Sequence, residues 1–146
     1  MMKKGLPIGI QTFSEIRTDN MYYVDKTEFA HRLIENGKYY FLSRPRRFGK
    51  SLFVDTLKEL FEGNKALFEG LFIHDKWDWS RKYPVIRISF SDGNFNSPEK
   101  LNQRICEILA YENEKRGFSP RNESIAGLFE ELIRNTHKNA SEKVVI

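Results

Sequence analysis

The feature that most limits the possible folds of this chain is the succession of an aromatic run, a basic loop and a long apolar helix pattern. The run is "KYYFLS" (38–43), the loop is "RPRRFGKS" (44–51), and the helix pattern is "KSLFVDTLKELFEG" (50–63). Short runs of aromatic and apolar residues predict strands, and apolar residues at 3.6-residue spacing predict a helix. A strand, a loop and a helix in this order are typical of an α/β domain with a mainly parallel sheet.

The rest of the chain continues this alternation. A helix is expected from Asp25, which with Glu28 has the spacing of a capping box, and it is expected to end at Gly37. The long apolar helix after the loop is expected to lie buried against a sheet. The other expected elements, in chain order, are a connector packed on the core (64–83), a strand "PVIRISFS" (84–91), a helix from Ser97 to about Gly117, a helix from about Ser124, and a final strand "KVVI" (143–146).

Composition limits the class of protein. A chain of 146 residues with 40% hydrophobic residues can form one globular domain with a buried core. The single cysteine, Cys106, excludes an internal disulfide framework and favours a reducing compartment, so a cytoplasmic location is expected. No apolar run approaches the roughly 20 residues that span a bilayer, and the N-terminus has no secretory signal, so no membrane association is expected.

The loop carries half of a phosphate-binding motif. Such a loop needs converging backbone N–H groups at a helix N-terminus, a lysine for the phosphates and a hydroxyl for Mg²⁺, and Gly49, Lys50 and Ser51 supply these in order. Arg44 stands where the motif has its first glycine, and Pro45 has no N–H. Arginine tolerates positive φ poorly, so the loop is expected to turn differently at its start. A basic surface turn with solvated arginines is the alternative.

These segments together resemble a known family. The chain is similar to the AAA-ATPase-like domain of predicted P-loop ATPases from bacteria and archaea, in many of which a nuclease-like domain of the PD-(D/E)XK type follows. The likeness extends over nearly the whole chain but only over the first half of that domain. It implies a P-loop NTPase-like, three-layer α/β/α fold with ATP and Mg²⁺ as ligands. The segments that carry the resemblance are "LPIGIQTFSEIRTDNMYYVDKTEF", "YYFLSRPRRFGKSLFVDTLKELFEG", "LFEGLFI" and "YPVIRISFS".

The resemblance also implies a set of site residues. Ser51 would contribute to Mg²⁺ binding through the nucleotide. Asp25 and Lys26 fall in a segment that resembles the one lining the adenine pocket of related ATPases, although a role as helix cap already explains Asp25 completely. No catalytic residue is assigned. The positions implied for the phosphate loop are Arg46, Arg47, Phe48, Gly49, Lys50 and Ser51.

The resemblance implies that the chain is the N-terminal part of a longer ATPase-like domain. Within it, residues 1–37 would form an N-terminal segment and helix, and residues 38–146 an incomplete P-loop core. In longer relatives the strand matching "KVVI" leads into an acidic Walker B motif, whose carboxylates hold Mg²⁺ and polarise the attacking water. Phosphoryl transfer needs several such groups at once. Nucleotide binding is therefore expected of the intact protein, with little or no hydrolysis by residues 1–146. Nucleic acid is a possible partner through a downstream nuclease-like domain.

Two other functions stay open. The first is a nucleic-acid-binding module that uses the cations of the loop together with neighbouring aromatic side chains. The second is a scaffold that keeps the fold without loading nucleotide. The histidines are too dispersed to predict a metal site, and Cys106 is expected to serve in core packing. The residues of the first alternative are Arg44, Arg46, Arg47, Lys50, Tyr39, Tyr40 and Phe48.

Overall fold

A computed structural model of the chain describes residues 4–90 and 96–146. The chain divides into two compact units, Met1–Lys82 and Tyr83–Ile146, which are called unit 1 and unit 2. The elements of unit 1 are α1 (Phe13–Thr18), α2 (Thr27–Asn36), α3 (Lys50–Phe61) and a short 3₁₀ helix (Lys65–Phe68), and those of unit 2 are α4 (Pro98–Lys115) and α5 (Ile125–Ala140).

The helices that the sequence predicts are present. In unit 1, α2 stops before Gly37, and the end of α3 is followed by Gly63 with a φ of 76°. In unit 2, the Ser97 hydroxyl accepts a hydrogen bond from the N–H of Lys100, and the Ser124 hydroxyl accepts one from the N–H of Gly127. These serine caps satisfy N–H groups that have no partner within the helix. Local serine capping therefore sets where the two helices of unit 2 begin.

Unit 1 is held together by an aromatic core. Its fully buried members come from α1, α2, α3 and the connector that follows α3. The ring of Phe13 lies 4.9 Å from the ring of Phe68, centroid to centroid. Trp77 and Trp79 pack on the same cluster from the connector, as expected for residues 64–83. Burial of aromatic rings supplies much of the stability of so small a unit. The buried core residues of unit 1 are Phe13, Ala30, Leu60, Phe68 and Ile73.

Unit 2 is built around a pair of helices. α4 and α5 pack against each other. Their buried residues Leu109, Leu128 and Leu132 enclose Ile86, which comes from the extended segment before α4. The apolar spacing along each helix predicts these core positions.

The expected three-layer α/β/α fold with a parallel sheet is wrong. Across residues 4–90 and 96–146 the chain is helical and contains no strand, apart from a single parallel bridge between Val85 and Val145. The predicted strand 38–43 forms no regular secondary structure and is exposed, with Tyr39 and Phe41 each 94% exposed. A strand is stable when neighbouring strands accept and donate its lateral hydrogen bonds, and a run of aromatic residues does not supply them. Of the predicted strand 84–91, residue 91 lies outside the described residues.

Two local expectations also differ from the structure. α3 packs on α1 and the 3₁₀ helix rather than on a sheet. The capping box at the start of α2 is not formed, because Oε1 of Glu28 accepts a hydrogen bond from Nη2 of Arg32 at 2.5 Å instead of capping the helix. α1 was not expected from the sequence. Its N-cap, Thr12, forms no side-chain cap, and the N–H of Phe13 donates instead to Oδ2 of Asp55 in α3 at 2.7 Å.

Candidate functional site: the loop 44–51 and its cavity

Two residues of the loop 44–51 have left-handed backbone conformations shortly before α3 begins. Arg47 has a φ of 66° and Gly49 has a φ of 74°. Positive φ costs an L-residue roughly 1–2 kcal/mol, and glycine avoids this cost. Residue 44, where the common motif has its first glycine, does not have a positive φ in this structure. The loop thus reverses direction near its end, immediately before Lys50.

The N-terminus of α3 is open. Gly49 is the N-cap residue, and no side chain caps the helix. The first bond of the helix runs from the N–H of Phe53 to the carbonyl of Gly49 at 2.9 Å. The N–H groups of Lys50, Ser51 and Leu52 therefore precede the intrahelical bonds. Free first-turn N–H groups and the helix dipole together favour an anion at this position.

The charge around the loop has one sign. Between Glu35 and Asp55 the chain has five basic residues and no acidic residue. Residues 44–49 and Ser51 are exposed, so the arginine side chains face solvent. The ammonium of Lys50 donates a hydrogen bond to the main-chain carbonyl of Arg44, which holds the two ends of the loop together. The loop is consequently a compact, exposed and cationic turn.

A cavity of about 290 Å³ lies beside the loop within unit 1. One side is formed by α2 and the other by the loop and the beginning of α3. Its lining is mostly apolar, with cationic side chains among the remaining residues. The lining residues are Lys26, Phe29, Arg32, Leu33, Asn36, Tyr40, Leu42, Arg44, Phe48, Gly49, Lys50 and Phe53.

The cavity brings together part of the predicted site. Lys26, Phe48, Gly49 and Lys50 line it, although Lys26 is separated from the loop by some twenty residues of sequence. The other predicted site residues, Arg46, Arg47, Ser51 and Asp25, do not line it. Binding roles for all eight residues stay predictions.

Asp25 belongs to a hydrogen-bond network between the start of α2 and the connector. Oδ1 accepts from the N–H and the hydroxyl of Thr27 at 2.8 and 2.7 Å, and Oδ2 accepts from the N–H of Phe72 at 2.7 Å. The Thr27 hydroxyl in turn accepts from the N–H of Ile73 at 3.2 Å. Burial acts to raise the pKa of Asp25, but the hydrogen bonds from Phe72 and Thr27 outweigh it and hold the pKa below its ordinary value of 3.8. Asp25 thus fastens α2 to the connector.

The sequence interpretation missed most of the α2 side of the cavity. Lys26, Phe29, Leu33 and Asn36 are spaced three or four residues apart, so they share one helical face. Phe29 and Leu33 form part of the apolar face that the sequence predicts for this helix. Phe29 is 58% exposed, and this exposure of a large aromatic residue beside the loop distinguishes the cavity wall from core. The sequence shows that these residues share one face of α2, but it does not show that this face lies next to the loop.

Other kinds of site are not evident in the described residues. Residues 4–90 and 96–146 contain no group of three or more histidine, cysteine or acidic residues placed to hold a metal ion. Within the same ranges, none of the helices combines the length and the apolar character needed to cross a membrane.

Comparison with known proteins gives the class of the chain. Residues 7–146 match the family described as predicted AAA-ATPase, so the chain belongs to that family. The expectation from the sequence is confirmed at this level. No solved structure matches the chain.

A similar protein occurs in Azotobacter chroococcum mcd 1, where it is described as "Uncharacterized protein in vnfD 5'region". The two sequences are 54% identical over 147 aligned positions. The match covers 100% of this chain and 28% of the Azotobacter protein, so this chain spans less than a third of that relative's length.

Proposed function

We propose that the loop 44–51 and the N-terminus of α3 bind the phosphates of ATP. The observation that carries this proposal is the uncapped first turn of α3, which follows the left-handed Gly49 and begins with Lys50. Membership of a predicted ATPase family supports nucleotide as the ligand in general terms. The five basic residues without an acidic neighbour give the loop the charge that a triphosphate requires.

The residues present fit a phosphate group. Backbone N–H groups of the first turn of α3 would donate to phosphate oxygens, and the Lys50 ammonium would neutralise their charge. Arg46 and Arg47 are exposed on the same turn and would add charge-assisted hydrogen bonds from outside. The hydroxyl of Ser51, in the first turn of α3, would supply one oxygen ligand to a phosphate-bound Mg²⁺. ATP hydrolysis is proposed for the longer protein, in the cytoplasm.

The test is a calorimetric titration of the protein with ATP and Mg²⁺. Charge-assisted hydrogen bonds contribute about 1.5–3 kcal/mol, so Lys50→Ala is expected to weaken ATP binding by about 10- to 150-fold. Lys38→Ala is the matched control, because Lys38 is exposed in the same basic segment but does not line the cavity. An unchanged affinity in Lys50→Ala, or an equal loss in both variants, would contradict the proposal. A flat titration of the wild-type protein would select the scaffold that does not load nucleotide.

A second candidate function is nucleic-acid binding. The observation that favours it is the exposure of Tyr39 and Phe41, which stand next to the cationic loop and could stack on bases. Tyr40 and Phe48 line the cavity instead, which leaves two fully open aromatic rings on this segment. Fluorescence anisotropy with labelled single-stranded DNA at about 50 and 200 mM salt tests this candidate. Nucleic-acid binding would be selected if the protein bound the DNA with a steep salt dependence, lost this binding in Tyr39→Ala and Phe41→Ala, and showed no affinity for ATP.

A further inference from the structure

The cavity beside the loop has a volume at the low end of the range for pockets that enclose a ligand. Pockets that enclose drug-sized ligands have volumes of about 300–1,000 Å³, and this cavity measures about 290 Å³. The loop that is proposed to hold the phosphates is exposed and needs no enclosed volume. The apolar part of the lining therefore suits the uncharged part of a nucleotide, with the phosphates at the exposed loop next to Gly49 and Lys50.

The lining has the chemistry of a site for a flat aromatic group. Phe29, Leu33, Phe48 and Phe53 provide apolar surface from both sides of the cavity. Aromatic rings and aliphatic side chains stack well on the faces of nucleobases, but they do not distinguish one base from another. Selection among bases requires a hydrogen-bonding group at the edge of the ring.

Asn36 carries the one side-chain amide among the described residues that line the cavity. Its Nδ2 donates a hydrogen bond to the main-chain carbonyl of Arg32 at 2.7 Å, one helical turn earlier. This bond fixes which way the amide faces, because turning it over would put Oδ1 against the Arg32 carbonyl oxygen. The Oδ1 atom and the second N–H of Nδ2 stay available for a ligand.

We propose that the cavity holds the nucleobase and that Asn36 selects adenine over 6-oxopurines. This proposal rests on the proposed ATP binding by the loop. An asparagine amide pairs with adenine through two hydrogen bonds, accepting from the exocyclic amino group and donating to a ring nitrogen. A 6-oxopurine presents a carbonyl oxygen where adenine has its amino group. That oxygen would face Oδ1 of Asn36, and the bond to Arg32 opposes reversal of the amide.

The test compares the dissociation constants of ATP and inosine triphosphate, which share the triphosphate and differ at position 6 of the purine. The wild-type protein is expected to bind ATP about tenfold more tightly, at the low end of the discrimination by a bidentate pair. Asn36→Ala is expected to bring the ratio near one. Asn36→Gln, which retains the amide but displaces it, is expected to do the same. Glu35→Gln is the matched control, because Glu35 precedes Asn36 on α2 but does not line the cavity, and its ratio is expected to be unchanged.

The outcomes separate this inference from the proposal on which it rests. Lys50→Ala is expected to weaken both nucleotides equally and to leave their ratio intact. A wild-type ratio near one, or a ratio that survives in both Asn36 variants, would overturn the inference while Lys50-dependent binding continued to support the phosphate site. Absence of binding by either nucleotide would overturn both. Tryptophan fluorescence of each variant verifies that unit 1 is folded, since Trp77 and Trp79 belong to its core.

Discussion

The buried carboxylate of Asp55 is expected to be a main determinant of the stability of unit 1. Asp55 is 5% exposed, and its Oδ2 accepts the N–H of Phe13, the first residue of α1, at 2.7 Å. α1 has six residues and no side-chain cap of its own. A carboxylate 42 residues away in sequence thus performs the task that a local serine performs for α4 and α5.

The magnitude follows from what Asp55→Ala would remove. A hydrogen bond to a charged group contributes about 1.5–3 kcal/mol, and a buried donor left without an acceptor retains its desolvation cost. A negative charge at a helix N-terminus adds about 0.3–1 kcal/mol. Because Phe13 is fully buried, water cannot replace the lost acceptor. Asp55→Ala is therefore expected to lower the free energy of unfolding by about 2–4 kcal/mol, and Asp55→Asn, which retains an acceptor oxygen without the charge, by about 1 kcal/mol.

Urea unfolding followed by tryptophan fluorescence measures the change in the free energy of unfolding of unit 1. Both tryptophans of the chain, Trp77 and Trp79, lie in unit 1 and pack on the cluster that contains Phe13. The fluorescence transition therefore reports on unit 1. Comparison of midpoints at unchanged slope gives the difference in stability. Equal losses in Asp55→Ala and Asp55→Asn, or a loss below about 0.5 kcal/mol in Asp55→Ala, would refute the assignment of Asp55 as the cap of α1.

Two further predictions concern unit 1. The indole N–H of Trp77 is buried without an acceptor among the described residues, whereas that of Trp79 donates to the His74 carbonyl at 2.7 Å. Trp77→Phe is thus expected to cost about 1 kcal/mol less stability than Trp79→Phe in thermal unfolding, and the reverse order would contradict this reasoning. Hydrogen bonds hold the pKa of Asp25 below its ordinary value of 3.8. They therefore predict a contribution to the free energy of unfolding that is fully present at pH values above the unfolded-state pKa. As the pH falls through the folded-state pKa, this contribution is lost, so Asp25→Asn is expected to flatten the acid limb of the stability profile, and an unchanged limb would argue against it.

The sequence was a good guide where structure is set by local contacts. The starts of α4 and α5 follow from Ser97 and Ser124, whose hydroxyls cap N–H groups three residues ahead. α3 likewise ends next to Gly63, where a positive φ is required. Each of these signals lies within a few residues of the helix end that it determines.

The sequence failed where structure depends on distant partners. The run 38–43 and the run 84–91 have strand composition, but strand formation depends on a neighbour that composition does not specify. The cap of α1 by Asp55 has the same non-local origin. In the candidate site, the motif located Gly49, Lys50 and Ser51 because their spacing is local. The α2 wall with Asn36 was missed because its proximity to the loop depends on tertiary structure.

The bond between the Lys50 ammonium and the Arg44 carbonyl has a consequence for affinity. A ligand that binds the Lys50 ammonium must displace the Arg44 carbonyl from it. The apparent dissociation constant of the ligand therefore equals the intrinsic constant divided by the fraction of molecules in which this internal hydrogen bond is broken. The internal competitor is a main-chain oxygen, and no side-chain replacement at position 44 removes it. Arg44→Gly would retain the competitor while making the backbone that carries it more mobile. Variation at this position is thus a means of adjusting the population of competent loops while the competing main-chain oxygen is retained.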